Sequence, residues 1–497
     1  MIPLDLNLTS SFRVTAPNLQ WSVQLTNASL STDPKRTLAV LSGPGLSIML
    51  AAYGVSSAAV TLPDVSFAFG GQSPNPALVV SMYILAVTAL IVPVGRAGDL
   101  YGKRSVLASG LCLFSLGAVL AFLAPTLTAL IASRFVQGAG AAAMMAMPLA
   151  MVRDLVSSGE IGRWMGVLGT MSAIGTASGP AIGAAAAAAF GWRSVYLLQV
   201  PFALATLVLC LLWIRGSAGQ AEKGSVDLPG AGALAAFLTA LTFLMSELVN
   251  GFDVTDGLLA ALAIGALMAL YVIETRSFSP IIPLDLLRSS RLRISLAMNV
   301  IVSLVMMGML VVGPFFLMDG LGLTTAQMGL AMSVGPISSA LSGIPAGRFT
   351  EKVGTGYAVT AGASAMAFAC AAMATLPYLL GLGGFILAFI LLAPSYQVFL
   401  AALNTSVMER ASEQDRGVTS GILNLSRNFG FILGAGSVSA VFWSLAYFES
   451  GIEGRTPIVS FAMAGTFAMC SLLILCVVLL SVLSHRNNVT RQGTGHS

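Results

Sequence analysis

The sequence predicts an all-α membrane protein of fourteen transmembrane helices, arranged as two six-helix bundles with an inserted two-helix hairpin. Three observations lead there: long apolar runs recur along most of the chain, basic residues fall in alternate connections, and one loop pattern occurs twice. Of the 497 residues, 56% are hydrophobic and 9% charged, where soluble domains carry about a quarter of charged residues. The mean hydropathy is +0.89 over the whole length, so the bilayer is the chain's solvent.

The first 37 residues are polar, contain Pro3, Pro17 and Pro34, and lack the basic-then-apolar order of a cleaved leader. They are expected to form a cytoplasmic tail (1–37), with the first span acting as the targeting signal. Apolar runs of about 20 residues, the length that crosses a bilayer, then lie near 38–62, 78–97, 104–124, 126–152, 162–189 and 193–214. Two more follow at 230–250 and 256–275, and six at 294–318, 325–347, 356–376, 379–403, 420–445 and 457–483. The even number places both tails on one side, the last being 484–497.

The basic residues test that count independently, because short cytoplasmic loops retain Lys and Arg. Arg13, Lys35 and Arg36 precede the first span, and Arg486 and Arg491 follow the last. Between them Arg96, Lys103, Arg104, Arg153, Arg163, Arg215, Lys223, Arg276, Arg288, Arg291, Arg293, Arg348, Lys352, Arg410 and Arg416 occupy every second loop. This side holds 20 of the 24 basic residues; Arg193 and Arg455 fall opposite, and Arg134 and Arg427 inside spans. Both termini are therefore expected in the cytoplasm.

After the second span the chain reads Gly95-Arg96-Ala97-Gly98-Asp99-Leu100-Tyr101-Gly102, and after the tenth Gly347-Arg348-Phe349-Thr350-Glu351-Lys352-Val353-Gly354. Glycine, arginine, acid and glycine recur at the same offsets. If each copy follows the second helix of a six-helix unit, the units are 38–214 and 294–483. Helices 7 and 8 (230–275) are then an insertion between linkers 215–229 and 276–293. Paired six-helix halves around a central path are a recurrent transporter architecture.

Four constellations carry candidate chemistry. In the loop after span 2, Gly95 and Gly102 permit a tight turn, and Asp99 among Arg96, Lys103 and Arg104 can form a charge cluster that breaks and reforms as halves rock. The competing reading is that these cations only hold topology. The copy at Gly347, Arg348, Glu351 and Gly354 is the weaker version. In span 4, Arg134 with Gln137 and Gly138 puts a charge about three turns into the apolar run, where it costs several kcal/mol unless paired or wet; snorkelling to the interface is the alternative. In span 5, Gly175, Gly179, Pro180 and Gly183 form a small-residue stripe with a kink, readable also as plain close packing. In span 13, Asn424, Arg427 and Asn428 share a helix face, and Tyr396, Gln397 and Asn404 mark span 12. These six are candidate cavity-lining residues, with interface anchoring equally open for Arg427. Met144, Met145, Met147, Met306, Met307 and Met309 suit an adaptable apolar cavity or ordinary core packing.

Together these features resemble the major facilitator superfamily, in its fourteen-span drug:proton antiporter branch of multidrug efflux type. The likeness covers nearly all of 38–483 and extends to Gly191-Trp192-Arg193, the stretch from Asp227 to Gly230, Pro283-Leu284-Asp285-Leu286-Leu287 and Arg416-Gly417-Val418. The resemblance implies a major facilitator fold. It implies that the Gly95–Arg104 loop latches the outward-open state, that Arg134-x-x-Gln137-Gly138 serves proton coupling, and that the span 5 stripe is the antiporter motif of exporters. Two departures stand out. Ala184 follows Gly183 where a second glycine is usual, and Gly54, nine residues before Leu62-Pro63, stands where many proton-coupled members carry an aspartate. No acid lies well inside any run; Asp64, Glu247, Asp319 and Glu274 lie at span ends. Neutral or anionic substrates gain weight accordingly.

Other classes are disfavoured. His485 and His496 both sit in the C-terminal tail, no acid pair or metal-ligand cluster exists in the membrane body, and Cys112, Cys210, Cys370, Cys470 and Cys476 are isolated in apolar runs. No metal site, no cofactor and no enzyme activity are expected. No phosphate-binding Gly-x-x-x-x-Gly-Lys-Ser/Thr loop is present. The expected function is secondary active export of small amphipathic organic compounds, driven by the proton gradient through alternating access. Uptake of a small nutrient is the nearest rival, and a non-transporting sensor or scaffold a third. The expected partners are a small-molecule substrate, protons and the lipid bilayer of the cell or inner membrane, with no nucleic acid and a monomeric state.

Overall fold

A computed structural model describes residues 34–70, 76–155, 161–213, 227–247, 254–276, 286–410, 416–448 and 455–493. The expected N-terminal tail up to 33, most of the 215–229 linker, 277–285 of the second linker and 494–497 lie outside the described residues. Among the described residues every regular element is helical, as an apolar solvent requires when backbone polar groups must be satisfied within each segment.

The chain begins with α1 (Pro34–Ala59), which bends by 53° into the short α2 (Leu62–Ala68). It continues with α3 (Leu78–Tyr101), α4 (Lys103–Leu123), α5 (Leu127–Leu155) and α6 (Ile161–Phe190). A broken span of α7 (Ser194–Leu197) and α8 (Gln199–Trp213) follows, then α9 (Leu228–Glu247) and α10 (Val254–Arg276). The rest comprises α11 (Ser290–Phe315), closed by a π turn over Phe316–Gly320, α12 (Thr325–Val353), α13 (Thr355–Met408), α14 (Arg416–Phe448) and α15 (Arg455–Gly493). The long α13 is two helices joined at Gly381, whose φ of 56° and ψ of −130° break the helical path.

With the broken spans joined and α13 divided, these elements supply the fourteen expected helices. Ten are long and apolar enough to cross a membrane, or eleven with the bent α1–α2 pair counted as a span. The shortfall from fourteen has local causes. Fused α13 counts once, α9 contributes only a short apolar stretch over Pro229–Met245, and α12 is diluted by Gly, Ser and Pro. At the far end α15 runs to Gly493, into the stretch expected as a tail from 484, because no proline or glycine stands between 484 and Gly493 to stop it.

The repeated loop has one geometry in both copies. Gly102 ends α3 and starts α4 at φ 89°, and Gly354 ends α12 and starts α13 at φ 87°. Residues with a Cβ rarely adopt this conformation, and at Gly354 a Cβ would meet nothing within 4 Å, so there the backbone angle alone calls for glycine. Caps fix other starts: Thr324 and Gln327 form a reciprocal capping box on α12, and the Asp227 carboxylate accepts from Gly230 N at 2.8 Å on α9.

Helix neighbours recur eight spans apart. α1 packs on α6 as α11 packs on α14; α4 packs on α8 as the first part of α13 packs on α15, where Thr360 and Ser481 hydroxyls meet at 2.6 Å. Across the middle, α6 meets α12 and α3 meets α14, which is again one pair repeated. The α9–α10 hairpin breaks the symmetry: α9 lies against both α3 and α14 and covers that seam, with Phe237 stacked on Phe429 at 6.0 Å.

The seam between α6 and α12 is joined at one end. Toward the Asp64 end, Thr325 Oγ1 of α12 donates to the Asp64 carboxylate at 3.4 Å, and a Cβ added to Gly329 would lie 2.0 Å from Ala184 Cβ. Toward the end bearing Arg96 and Arg348, a Cβ on Gly95 of α3, Gly166 and Gly169 of α6, Gly343 and Gly347 of α12, or Gly421 of α14 would meet nothing within 4 Å. At that end these glycine faces of α3, α6, α12 and α14 carry no close contact.

Candidate functional site

Arg134 is fully buried in α5, and three helices supply its partners. Its Nε donates to Val79 O of α3 at 3.0 Å, Nη2 to Gly54 O of α1 at 2.9 Å, and Nη1 to the Gln137 side-chain oxygen one turn on. Gln137 Nε2 donates to Gln199 Oε1 of α8 at 2.9 Å, and Gln199 Nε2 to Val195 O at 2.9 Å. The guanidinium carbon lies 4.3 Å from the Tyr83 ring centre and 5.7 Å from that of Tyr196. Backbone carbonyls, an amide and two aromatic faces thus replace water around the charge, without a carboxylate. Gly138 lets α5 approach α3: a Cβ there would lie 2.4 Å from Tyr83 O.

Gly54, the position of the absent acid, is in this cage and serves it through its carbonyl. A Cβ there would lie 3.2 Å from the Tyr83 hydroxyl and 3.3 Å from Gln199 Oε1. Sequence reasoning singled out Arg134, Gln137 and Gly138 but missed Tyr83, Gln199 and the acceptor role of Gly54. A glutamine inside the apolar run of α8 was the one available signal.

The span 5 stripe packs α6 on α1. Added Cβ atoms at Gly175 and Gly179 would lie 2.0 Å from Met49 O and 1.9 Å from Ser56 Oγ, and one at Gly183 3.1 Å from Ser57 Cβ. Ala184, the departure from two consecutive glycines, faces Gly329 of α12. The methyl gained on one helix is matched by the side chain missing from the other.

The loop after α3 is divided. Arg96 lies 3.9 Å from Asp99 with both side chains well exposed, while Lys103 pairs with Asp154 of α5 at 2.6 Å and Arg104 Nη2 donates to Leu211 O at 2.7 Å. Lys103 is drawn to α5 because its carbonyl at Ala150 also accepts, at 3.3 Å. Asp99 meets no group of the second half within ion-pair range, and Arg348 and Glu351 form no ion pair among the described residues.

In the second half, Arg427 Nη2 donates to Asn424 Oδ1 at 2.8 Å, and Asn424 Nδ2 donates to Ser420 O at 3.0 Å. Arg427 Nε is out of solvent and has no hydrogen-bond partner among the described residues. Tyr396 lies within electrostatic reach of Arg427, and Gln397 Nε2 donates weakly to Ser339 O of α12 at 3.4 Å. Asn428 is half-buried beside them, whereas Asn404 is exposed near the end of α13. Asn299 of α11, not anticipated, ties α11 to α14 by donating to Leu423 O at 2.9 Å and Ser426 Oγ at 2.7 Å.

Every Asp and Glu among the described residues stands in or beside a terminal turn of a helix. The interior charges among them are Arg134 and Arg427.

Comparisons with known proteins agree with this architecture. A family model described as Major Facilitator Superfamily matches residues 45–435. The chain is 27% identical over 439 residues to the multidrug resistance protein Stp of Mycobacterium tuberculosis (strain CDC 1551 / Oshkosh), covering 84% of this chain and 79% of that one. It is 27% identical over 370 residues to the riboflavin transporter RibZ of Clostridioides difficile (strain 630), covering 74% and 80%. The crystal structure of the human organic anion transporter MFSD10 superposes with a TM-score of 0.57 at 17% identity, over 90% of this chain and 99% of that chain.

Proposed function

The chain belongs to the Major Facilitator Superfamily and is a secondary transporter, not an enzyme, and from that premise we propose that it exports small amphipathic organic compounds using the proton gradient. The supporting observation is an asymmetry along the α6–α12 seam, joined at the Asp64 end and carrying at the Arg96 and Arg348 end glycine faces that meet nothing within 4 Å. Alternating access needs a second arrangement in which the two ends exchange roles. By the positive-inside rule the Arg96 and Arg348 end faces the cytoplasm, as do both termini in the cell or inner membrane. A path open there gives a cytoplasmic compound access, as alternating access requires of importer and exporter alike; export itself is favoured by the span 5 stripe of Gly175, Gly179, Pro180 and Gly183, which resembles the antiporter motif of exporters.

In this reading residues 38–214 and 294–483 rock as units, with 230–275 riding on the α3–α14 seam. Asp99, well exposed here beside Arg96, engages the second half when the cytoplasmic end shuts and thereby latches the outward-open state. Proton coupling by Arg134, Gln137 and Gly138 rests on the resemblance to proton-coupled members; the cage itself spans α1, α3, α5 and α8, so a shift of α1 would break the bond to Gly54 O and make the cage sensitive to the rocking of the halves. The similarity to a multidrug resistance protein favours drugs or other toxic compounds as cargo. A nutrient symporter or facilitator is the second reading, favoured by the similarity to a riboflavin transporter.

Inverted vesicles separate the two. Accumulation of a fluorescent substrate that depends on an inside-acid gradient and collapses with an uncoupler is the expected result. Uptake into intact cells with no accumulation in inverted vesicles would reverse the assignment.

A further inference from the structure

Arg427 stands eleven residues into α14 and Tyr396 twelve residues before the end of α13. At about 1.5 Å per residue both lie roughly 16–18 Å in from the end bearing Arg96 and Arg348. Gly421, closer to that end on α14, faces open space. The guanidinium at this depth gives one bond to a neutral amide oxygen and keeps a buried Nε–H without an acceptor. An arginine stays charged at any physiological pH, and its planar fork matches an oxyanion. A charge in an apolar span is costly unless something pairs with it. Every described carboxylate is confined to helix ends, so among the described residues none supplies a counter-charge here.

We propose that Arg427, assisted by Asn424 and Tyr396, receives a negatively charged group of the transported compound, so that the preferred cargo is an organic anion bearing a carboxylate, sulfonate or phosphate. This rests on the reading of the chain as a transporter with its path between the halves, and it extends that reading to the charge of the cargo. The same arrangement discriminates against organic cations, which meet an unshielded positive charge and find no buried carboxylate.

The test reads the site before it reads transport. In protein with all five native cysteines replaced by alanine, Asn428→Cys is reacted in inverted vesicles with the anionic sulfonatoethyl and the cationic trimethylammonioethyl methanethiosulfonates. Relative to free cysteine, the rate ratio should favour the anionic reagent by at least about tenfold. Arg427→Lys should keep that preference and Arg427→Gln lose it. A ratio equal to that of free cysteine, a cationic preference, or no reaction with either reagent overturns the proposal. Dye transport then separates this proposal from the export reading. Accumulation of carboxyfluorescein but not rhodamine 123 in inverted vesicles supports both. Rhodamine 123 alone removes the anion class and leaves export standing. Carboxyfluorescein entering only intact cells keeps the anion class and removes export. Where neither dye moves, the thiol ratio decides.

Discussion

Arg134 and Arg427 each carry a guanidinium into the apolar length of a helix, and their surroundings differ nitrogen by nitrogen. Around Arg134 every nitrogen has an acceptor, two aromatic rings cover its faces, and the side chain is fully buried at a point where α1, α3 and α5 converge. Around Arg427 one amide oxygen is engaged, Nε has none, and the side chain is half-buried. The first charge lies toward the Asp64 end of the molecule and the second toward the end bearing Arg96 and Arg348. Complete satisfaction lets the fold hold a buried charge, whereas a buried donor left over is a cost that an incoming acceptor would remove.

The largest expected effect comes from removing the first charge. Arg134→Met strands the acceptors at Val79, Gly54 and Gln137, each of which costs about 1–3 kcal/mol when left buried without a donor. The protein should lose its thermal transition in detergent, or show it greatly lowered, and flux should vanish. A transition near that of the wild type would show that the cage is not structural.

Next comes Gly179→Leu, which forces α6 away from Ser56 and Ser57 of α1. Overpacking of this kind costs about 1–3 kcal/mol. Because α1 also brings Gly54 O to Arg134, the effects of Gly179→Leu and Arg134→Met on stability should be less than additive in a double-mutant cycle. Full additivity would separate the stripe from the cage.

A smaller loss is expected for Gln199→Leu, which removes one amide partner of Gln137 and costs about 1–2 kcal/mol in a thermal scan. The smallest is Arg427→Gln, a change at a half-buried site that should alter stability by no more than about 0.5 kcal/mol while changing which compounds are transported. If Arg427→Gln unfolds the protein as readily as Arg134→Met, the distinction between the two arginines fails.

Much of the cage was legible beforehand. A charged residue inside an apolar run, followed at helical spacing by Gln137 and Gly138, announces a buried polar site. The paired loops were legible too, down to the glycines that take positive φ at 102 and 354. The missing acid was visible only as an absence; that its replacement meets Arg134 through a backbone carbonyl was not, since every residue has such a carbonyl. Likewise Ala184 read as a departure, and only its placement opposite Gly329 explains why it fits. The division of the basic loop, with Lys103 turned to Asp154 instead of Asp99, also depended on the position of α5.

Hydropathy, charge placement and small-residue spacing are properties of single residues and near neighbours along the chain, so they sufficed to determine a helical membrane body with a duplicated plan. Which carbonyl accepts from which guanidinium, which seam is covered by α9, and which end of the α6–α12 seam is joined were decided only in the folded molecule. Each depends on atoms from helices far apart in sequence meeting within a few ångströms, and helix packing in lipid is set by those close contacts rather than by apolarity, which lipid and protein share.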